Sequence, residues 1–521
     1  MKSLKWFPHS LIAVSMLFLI SACGGSNGSS NNDGGATTTT VTGSVYASSV
    51  DGASVTIKNA SGATVAGPVT TAADGTYSVS IPTSALSGNL TFEADGGTFS
   101  DEATGATTTA GRLAAYIAGG TLTGSSSVHL DPSSTVLHDL VAGATGTSLS
   151  GAKTTFSNCF GFNPDNTVAP KNPDTVVTDG ADAAQRLAAL RAAAFSQLAK
   201  DLGLTPDQQF ALIIALAKDL EDGVLDGNND TAASIEIVPG TNLPADIMTR
   251  FAAALATVSN VRLTNTYRVE YVPGMMASKQ GKSQFQIKVT KRSDSSAATG
   301  LSLKLMPLMH MASGMNHSTP VDGVTESATA GTYNCTAYYL MASGPTMGFW
   351  DLKVKINDGV NTETAMFFPP VGMAMGSDTV RATLYGPDDI VSSMTGTQYN
   401  KYYLFKDGAV TVAGSTLNLF ITHAEMMNMN FKPASAGLVL SSPTGTITAM
   451  SVQAAMDSAF ISPLTATDNG NGHWSIPGLT GLVSTQTTTV YVKMSVNGQD
   501  KTTNGAAASG SNAYTSFVVT P

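Results

Sequence analysis

The sequence predicts a multidomain, mainly β protein of stacked sandwiches, with one small all-α domain inserted between them. Three observations carry this. Apolar residues alternate with period two from residue 41 to about 104 and again from Tyr267 onward, as half-buried strands do, while the stretch between has the 3.6-residue period of helices. The third is composition: 51 glycines and only 12% charged residues in 521 suit short strands joined by turns, at a length that implies several domains. The net charge of −10 argues against nucleic acid as a partner, because neutralising phosphates takes Lys and Arg.

Residues 1–22 read as a secretory signal. Lys2 and Lys5 form its basic end, and residues 11–20 (LIAVSMLFLI) form a ten-residue apolar run. A run of that length is half of what a membrane-crossing helix needs. It ends in Leu19-Ile20-Ser21-Ala22-Cys23, which resembles the lipobox of bacterial lipoproteins. The resemblance implies cleavage before Cys23, diacylglycerol on its sulfur and a further acyl chain, typically palmitate, on its amine. Gly24 follows where an acidic residue would retain such a protein in the inner membrane, so the pattern implies the outer membrane, with the side it faces left open. Residues 23–40 are the lipidated Cys and a Gly, Ser, Asn and Thr tether without apolar period. The Gly-x-Ser-x-Gly at residues 24–28 has no strand before it or helix after it and carries no meaning there.

Residues 41–104 alternate as strands around turn signals. Val41, Gly43 and Val45 alternate with Thr42 and Ser44, and Ala73-Asp74-Gly75 turns into Thr76-Tyr77-Ser78-Val79-Ser80-Ile81. The order Val-Thr-Gly-Ser-Val, Ala-Ser-Val-Thr-Ile, Ala-Asp-Gly-Thr-Tyr-Ser-Val resembles the carboxypeptidase-regulatory-like β-sandwich, which implies a spacer or binding module.

Residues 105–262 form the predicted helical domain. Leu187, Leu190, Ala194 and Leu198 share one face, flanked by Phe195 and Leu202, and Gly203 stops that helix. Thr205, Pro206 and Gln208 make a capping box for the next, whose predicted stripe is Phe210, Ile213, Ile214 and Ala217. A further helix carries Ile247, Phe251 and Leu255, and shorter ones are expected over residues 111–117 and 133–141. Asp222, Asp226 and Asp230 cluster oxygen donors of the kind calcium takes, but the spacing lacks the glutamate of an EF-hand loop, and ordinary turn chemistry is the preferred reading.

Residues 263–372 and 373–521 read as two related β-sandwiches, each ordered as strand, Met/His tail, Gly-x-Trp, strand. The first holds the densest chemistry in the chain: Met306, Met309, Met311 and Met315 with His310 and His317 place four thioethers and two imidazoles within twelve residues. Leu301, Leu303 and Leu305 point inward by alternation, so Met306 points outward with Lys304, and Pro307 is expected to end regular pairing and leave residues 309–317 as a loop or edge. Thioether and imidazole together select Cu(I) over harder cations. The competing reading is that methionine fills irregular core gaps.

The first of these sandwiches resembles the YtkA-like family of small exported immunoglobulin-like domains found near copper-handling proteins. The likeness rests on residues 306–311 (MPLMHM), 331–333 (GTY) and 348–350 (GFW). It implies that the Met-Pro-x-Met-His segment lies at one end of an immunoglobulin-like sandwich, with Met341 and Met347 approaching Met309 and His310. The expected Cu(I) ligands are therefore Met309, His310, Met315 and His317, with Met306, Met311, Met341 and Met347 as further donors. The second sandwich keeps a weaker set, His423, Met426, Met427 and Met429.

No metalloprotease, P-loop or Cys-x-x-Cys motif appears and carboxylates are sparse, so the chain is read as non-enzymatic. The expected partners are the membrane through lipid on Cys23 and an envelope protein. Two functional readings remain, a copper-binding lipoprotein or an envelope scaffold without metal. Cys159 and Cys335 could pair in an oxidising compartment, but Cys335 alternates inward with Tyr333 and Ala337, and a core thiol is preferred.

Overall fold

The computed structural model describes residues 37–143, 148–178, 182–393, 396–425, 430–441 and 444–521. The expected lipidation site Cys23 and the methionines Met426, Met427 and Met429 lie outside the described residues. The chain is mainly β, built of two-layer sandwiches with a helical block among them, as predicted.

In the first sandwich, strands Thr38–Val45, Thr76–Pro82 and Ser127–Leu130 form one layer; Thr64–Thr70, Ser54–Asn59, Leu90–Asp95 and Leu113–Ile117 form the other. Alternation does what period two requires: Val41, Val55, Ile57, Val79, Ile81 and Phe92 all face the shared core. The sandwich runs past residue 104. The expected helix at 111–117 is a strand, Leu113–Ile117, paired antiparallel with Leu90–Asp95. Its short run Leu113-Ala114-Ala115 is buried on both faces, a pattern that period alone cannot assign.

The helices are Pro132–Gly143, Leu149–Phe160, Ala183–Asp201, Gln209–Asp219 and Ile247–Ser259. Leu187, Leu190, Ala194, Phe195 and Leu198 are buried as expected, and Gly203 ends the turn after their helix at φ 75°. Thr205 and Gln208 make the capping box, the Thr205 amide donating to Gln208 Oε1 at 2.9 Å. The next stripe is shifted: Ile214 is 51% exposed, while Leu212, Ile213 and Leu216 are buried. This helix lies against the sandwich and its neighbouring helices, so its inward face is set by that packing. One continuous apolar core runs from Val41 to Ala254 through sandwich and helices together.

The next sandwich has its own core. Val261–Leu263, Tyr267–Pro273, Gly281–Lys291, Thr332–Tyr339 and Thr325–Glu326 make one layer; Asn316–Ser318, Ser302–Met311, Gly348–Asn357 and Thr362–Phe367 make the other. Phe285, Ile287, Tyr333, Trp350, Leu352 and Val354 meet between them. The last sandwich pairs Thr416–Glu425 with Lys401–Lys406 and His473–Pro477, facing a layer centred on Thr488–Val496. Apolar residues of both, among them Tyr338, Phe405 and Phe420, close the junction between the two sandwiches.

The two Gly-x-Trp motifs have one physical explanation. Gly348 (φ 117°) and Gly472 (φ 79°) have backbones that favour glycine, and an added Cβ would lie 1.9 Å from the His310 carbonyl oxygen and 2.5 Å from that of Ile421. Each glycine lets its strand press against a neighbour, and the tryptophan two residues on is buried. Both indoles donate to a backbone carbonyl, Trp350 to Met341 at 3.0 Å and Trp474 to Ala434 at 3.3 Å.

Candidate metal centre

Pro307 does not break its strand. Ser302–Met311 pairs with Gly348–Asn357 along its whole length, from Ser302↔Asn357 to Met311↔Gly348. The Met311 amide donates to Met315 O and the Ala312 amide to Met347 O, so odd-numbered amides of this strand face the Asn316–Ser318 side. That short strand begins only opposite Leu308, so the donor missing at Pro307 would have faced an open edge. Residues 309–317 are accordingly a hairpin, strand Ser302–Met311 turning through Gly314 (φ 83°) into Asn316–Ser318. Of the expected loop or edge, the edge strand is what forms, and the expected end of pairing at Pro307 is corrected.

The pleat then divides the candidate ligands between two faces. Leu305, Pro307 and Met309 point to the core with their partners Val354, Leu352 and Trp350; Met306 and His310 point outward with Lys353 and Phe349. Met306 is half-buried, as alternation predicted. Met309 is fully buried. Adjacent residues of one strand, Met309 and His310 sit on opposite faces and do not form one site. His310 stacks on Phe349 with ring centroids 4.7 Å apart, and its Nε2 meets Asp351 Oδ2 at 2.6 Å. Met315, in the turn, is 63% exposed.

On the core face the hairpin brings His317 level with Met309 as its register partner. His317 lies edge-on to Trp350 at 5.3 Å, and its Nε2 is 3.1 Å from Met341 Sδ. Met311 and Met347 pack at the rim of the same core. The approach of Met341 is thus to His317, not to His310 as the family resemblance implied.

The chemistry of this contact follows from the other ring nitrogen. Nδ1 of His317 lies 2.9 Å from the Ser318 carbonyl oxygen, which can only accept, so Nδ1 carries the hydrogen. In the neutral ring Nε2 then presents a lone pair to a sulfur that presents lone pairs of its own. Burial holds the His317 pKa below its ordinary value; the Ser318 carbonyl opposes that, and the Arg381 guanidinium adds to it. Two soft donor atoms therefore face each other with no hydrogen between them. The donor set fits a soft monovalent cation, and the Nδ1–H to carbonyl bond is the outer-sphere contact that orients ligating histidines.

The remaining candidates have structural roles. His423 is fully buried against Tyr402, neither of its nitrogens has a hydrogen-bond partner among the described residues, and burial pulls its pKa down to about 4. Asp222 Oδ1 accepts the Val224 amide, Asp226 Oδ1 the Asn228 amide, and Asp230 is exposed, which is turn chemistry. Among the described residues no three His, Cys, Asp or Glu side chains are grouped to hold a metal. Cys335 is a buried free thiol, its pKa pushed up to about 12 by burial, and Cys159 is free as well. Comparison with known proteins finds no family model that matches this chain and no curated protein similar to it.

Proposed function

We propose that this chain is an exported, lipid-anchored protein of the cell envelope that binds Cu(I) at the end of its YtkA-like, immunoglobulin-like sandwich. His317 Nε2 and Met341 Sδ are the primary ligands, with Met309, on the same face, as the neighbouring thioether. The observation that carries this reading is the 3.1 Å approach of two soft lone-pair donors in which the Ser318 carbonyl fixes the imidazole tautomer. Anchoring rests on the lipobox-like residues 19–23, and the Gly24 that follows points to the outer membrane. Its role is binding rather than catalysis.

The test is a competition between the full chain and a chromogenic Cu(I) chelator under reducing conditions. Outer-sphere partners alone are worth about 10–100-fold in metal affinity, so losing a ligand in Met341→Leu or His317→Gln should weaken retention more than about tenfold. His310→Gln should leave it unchanged. Parental retention in both ligand variants would overturn the reading. The alternative, an envelope scaffold without metal, is favoured by the complete burial of Met309 and predicts no copper to lose in any of them.

A further inference from the structure

A half-open cavity of about 560 Å³ lies between the helical block and the YtkA-like sandwich, a size typical of small-molecule sites. Its mouth is tied by Asn163 Nδ2 donating to Pro345 O at 2.7 Å. Apolar walls come from Leu187 and from Phe349 and Phe368, whose rings lie 6.1 Å apart. Two opposite charges also line it, Arg191 from the Ala183–Asp201 helix and Asp131 just before the Pro132–Gly143 helix.

Arg191 is the anomaly. It is half-buried, its guanidinium carbon lies 4.2 Å from the centroid of the Phe162 ring, and it takes part in no hydrogen bond or ion pair among the described residues. Burial pulls its pKa down to about 10 against the opposing influence of Asp131 and Asp165. A guanidinium that lines a cavity, stacks on an aromatic ring and is bonded to no other described side chain has N–H donors available to a ligand that enters. Asp131 is buried, 7% exposed; Oδ1 accepts the Ser134 amide at 2.7 Å and the carboxyl joins no ion pair among the described residues. Arg191 and Asp131 both line the cavity and, among the described residues, do not pair with each other, so it offers a cation and a carboxylate beside apolar walls.

We propose that this cavity binds a small zwitterion with an apolar body, of the α-amino-acid class, its carboxylate taken by Arg191 and its ammonium by Asp131. A planar guanidinium receives a carboxylate through paired N–H donors. The nearby carboxylates of Asp131 and Asp165 disfavour a plain anion and suit a ligand that also carries positive charge. The apolar body would lie against Phe349 and Phe368. This reading is independent of copper.

The test is calorimetric titration of the full chain in detergent with L-leucine and L-phenylalanine, beside leucinamide, which lacks the carboxylate, and N-acetyl-leucine, which lacks the ammonium. The free amino acids should bind, and each blocked form should bind at least about tenfold more weakly, the loss expected when a charged partner is left unpaired. Arg191→Gln should abolish binding. Should that variant fail to fold, the ligand comparison on the parent chain decides alone. Absence of amino-acid binding overturns the proposal. Equal binding of leucinamide removes Arg191 as the anchor, and equal binding of N-acetyl-leucine removes Asp131; either result overturns it too.

Discussion

Met309 offers the sharpest separation of packing from ligation, because the structure gives it both. It is 0% exposed, flanked across the sheet by His317 on one neighbouring strand and Trp350 on the other. Met309→Ala removes three heavy atoms from a close-packed site that backbone pairing on both sides keeps from collapsing. The expected loss is about 2–5 kcal/mol, the range for large-to-small core changes. Met309→Leu keeps the apolar volume and should lose less than about 1.5 kcal/mol. Denaturant unfolding followed by Trp350 fluorescence measures both, since the indole borders the altered side chain. In Cu(I) competition the order changes character: Leu, which lacks the thioether, should weaken retention while leaving the fold intact. An Ala variant within about 0.5 kcal/mol of the parent, the range of surface substitutions, would refute the packing argument. A Leu variant with parental copper retention would remove Met309 from the ligand set.

Asp407 joins the two C-terminal sandwiches, meeting Lys282 at 2.6 Å, Tyr338 Oη at 2.8 Å and His473 Nδ1 at 2.9 Å. Asp407→Ala should lower unfolding stability by about 1.5–3 kcal/mol, the range for hydrogen bonds to a charged group in a half-buried cluster; a loss under about 0.5 kcal/mol, the range of surface substitutions, would contradict it. Burial pushes its carboxyl pKa up, but the Lys282, Tyr338 and His473 contacts outweigh that and hold it below the ordinary value. Its contribution is therefore full above the unfolded carboxyl range and lost as pH falls through the lower folded value. His423 acts in the same direction at higher pH: its folded pKa of about 4 against about 6.5 unfolded makes its contribution fall by roughly 3 kcal/mol as pH drops from 6.5 to 4. His423→Leu should flatten that part of a stability–pH profile without loss at pH 7, since it removes two unpartnered buried nitrogens; an unchanged slope would count against it. Cys23→Ser should release the exported protein from the membrane fraction, because the lipid supplies the anchorage; unchanged retention on fractionation would sink the lipoprotein reading.

What the sequence revealed and what it hid have physical causes. Alternation placed Met306 outward and Cys335 inward correctly, because one buried face fixes the register of a whole strand. The capping box at Thr205 was legible because it is a local hydrogen-bond pattern. Pro307 misled, since the consequence of a missing amide depends on which edge it faces, and only the pairing partner decides that. The family resemblance groups His310 with Met309, although neighbours in one strand put their side chains on opposite faces. The contact of His317 with Met341 spans twenty-four residues and depends on a hairpin that folds the histidine back across the core. Arg191 did leave a signal: it falls with Leu187, Ala194 and Leu198 at helical spacing, so an arginine stands on a face otherwise buried. Gly348 and Gly472 were visible as motifs, and their reason, a carbonyl where a Cβ would go, lies only in the packed sheet.

X-ray absorption at the copper edge of the Cu(I)-loaded full chain tests the central claim most directly. The account predicts imidazole and thioether scattering from one ion, with sulfur scattering diminished in Met341→Leu, imidazole scattering lost in His317→Gln, and both preserved in His310→Gln. Copper with an unaltered spectrum in the first two variants, or a chain that retains none, would contradict it.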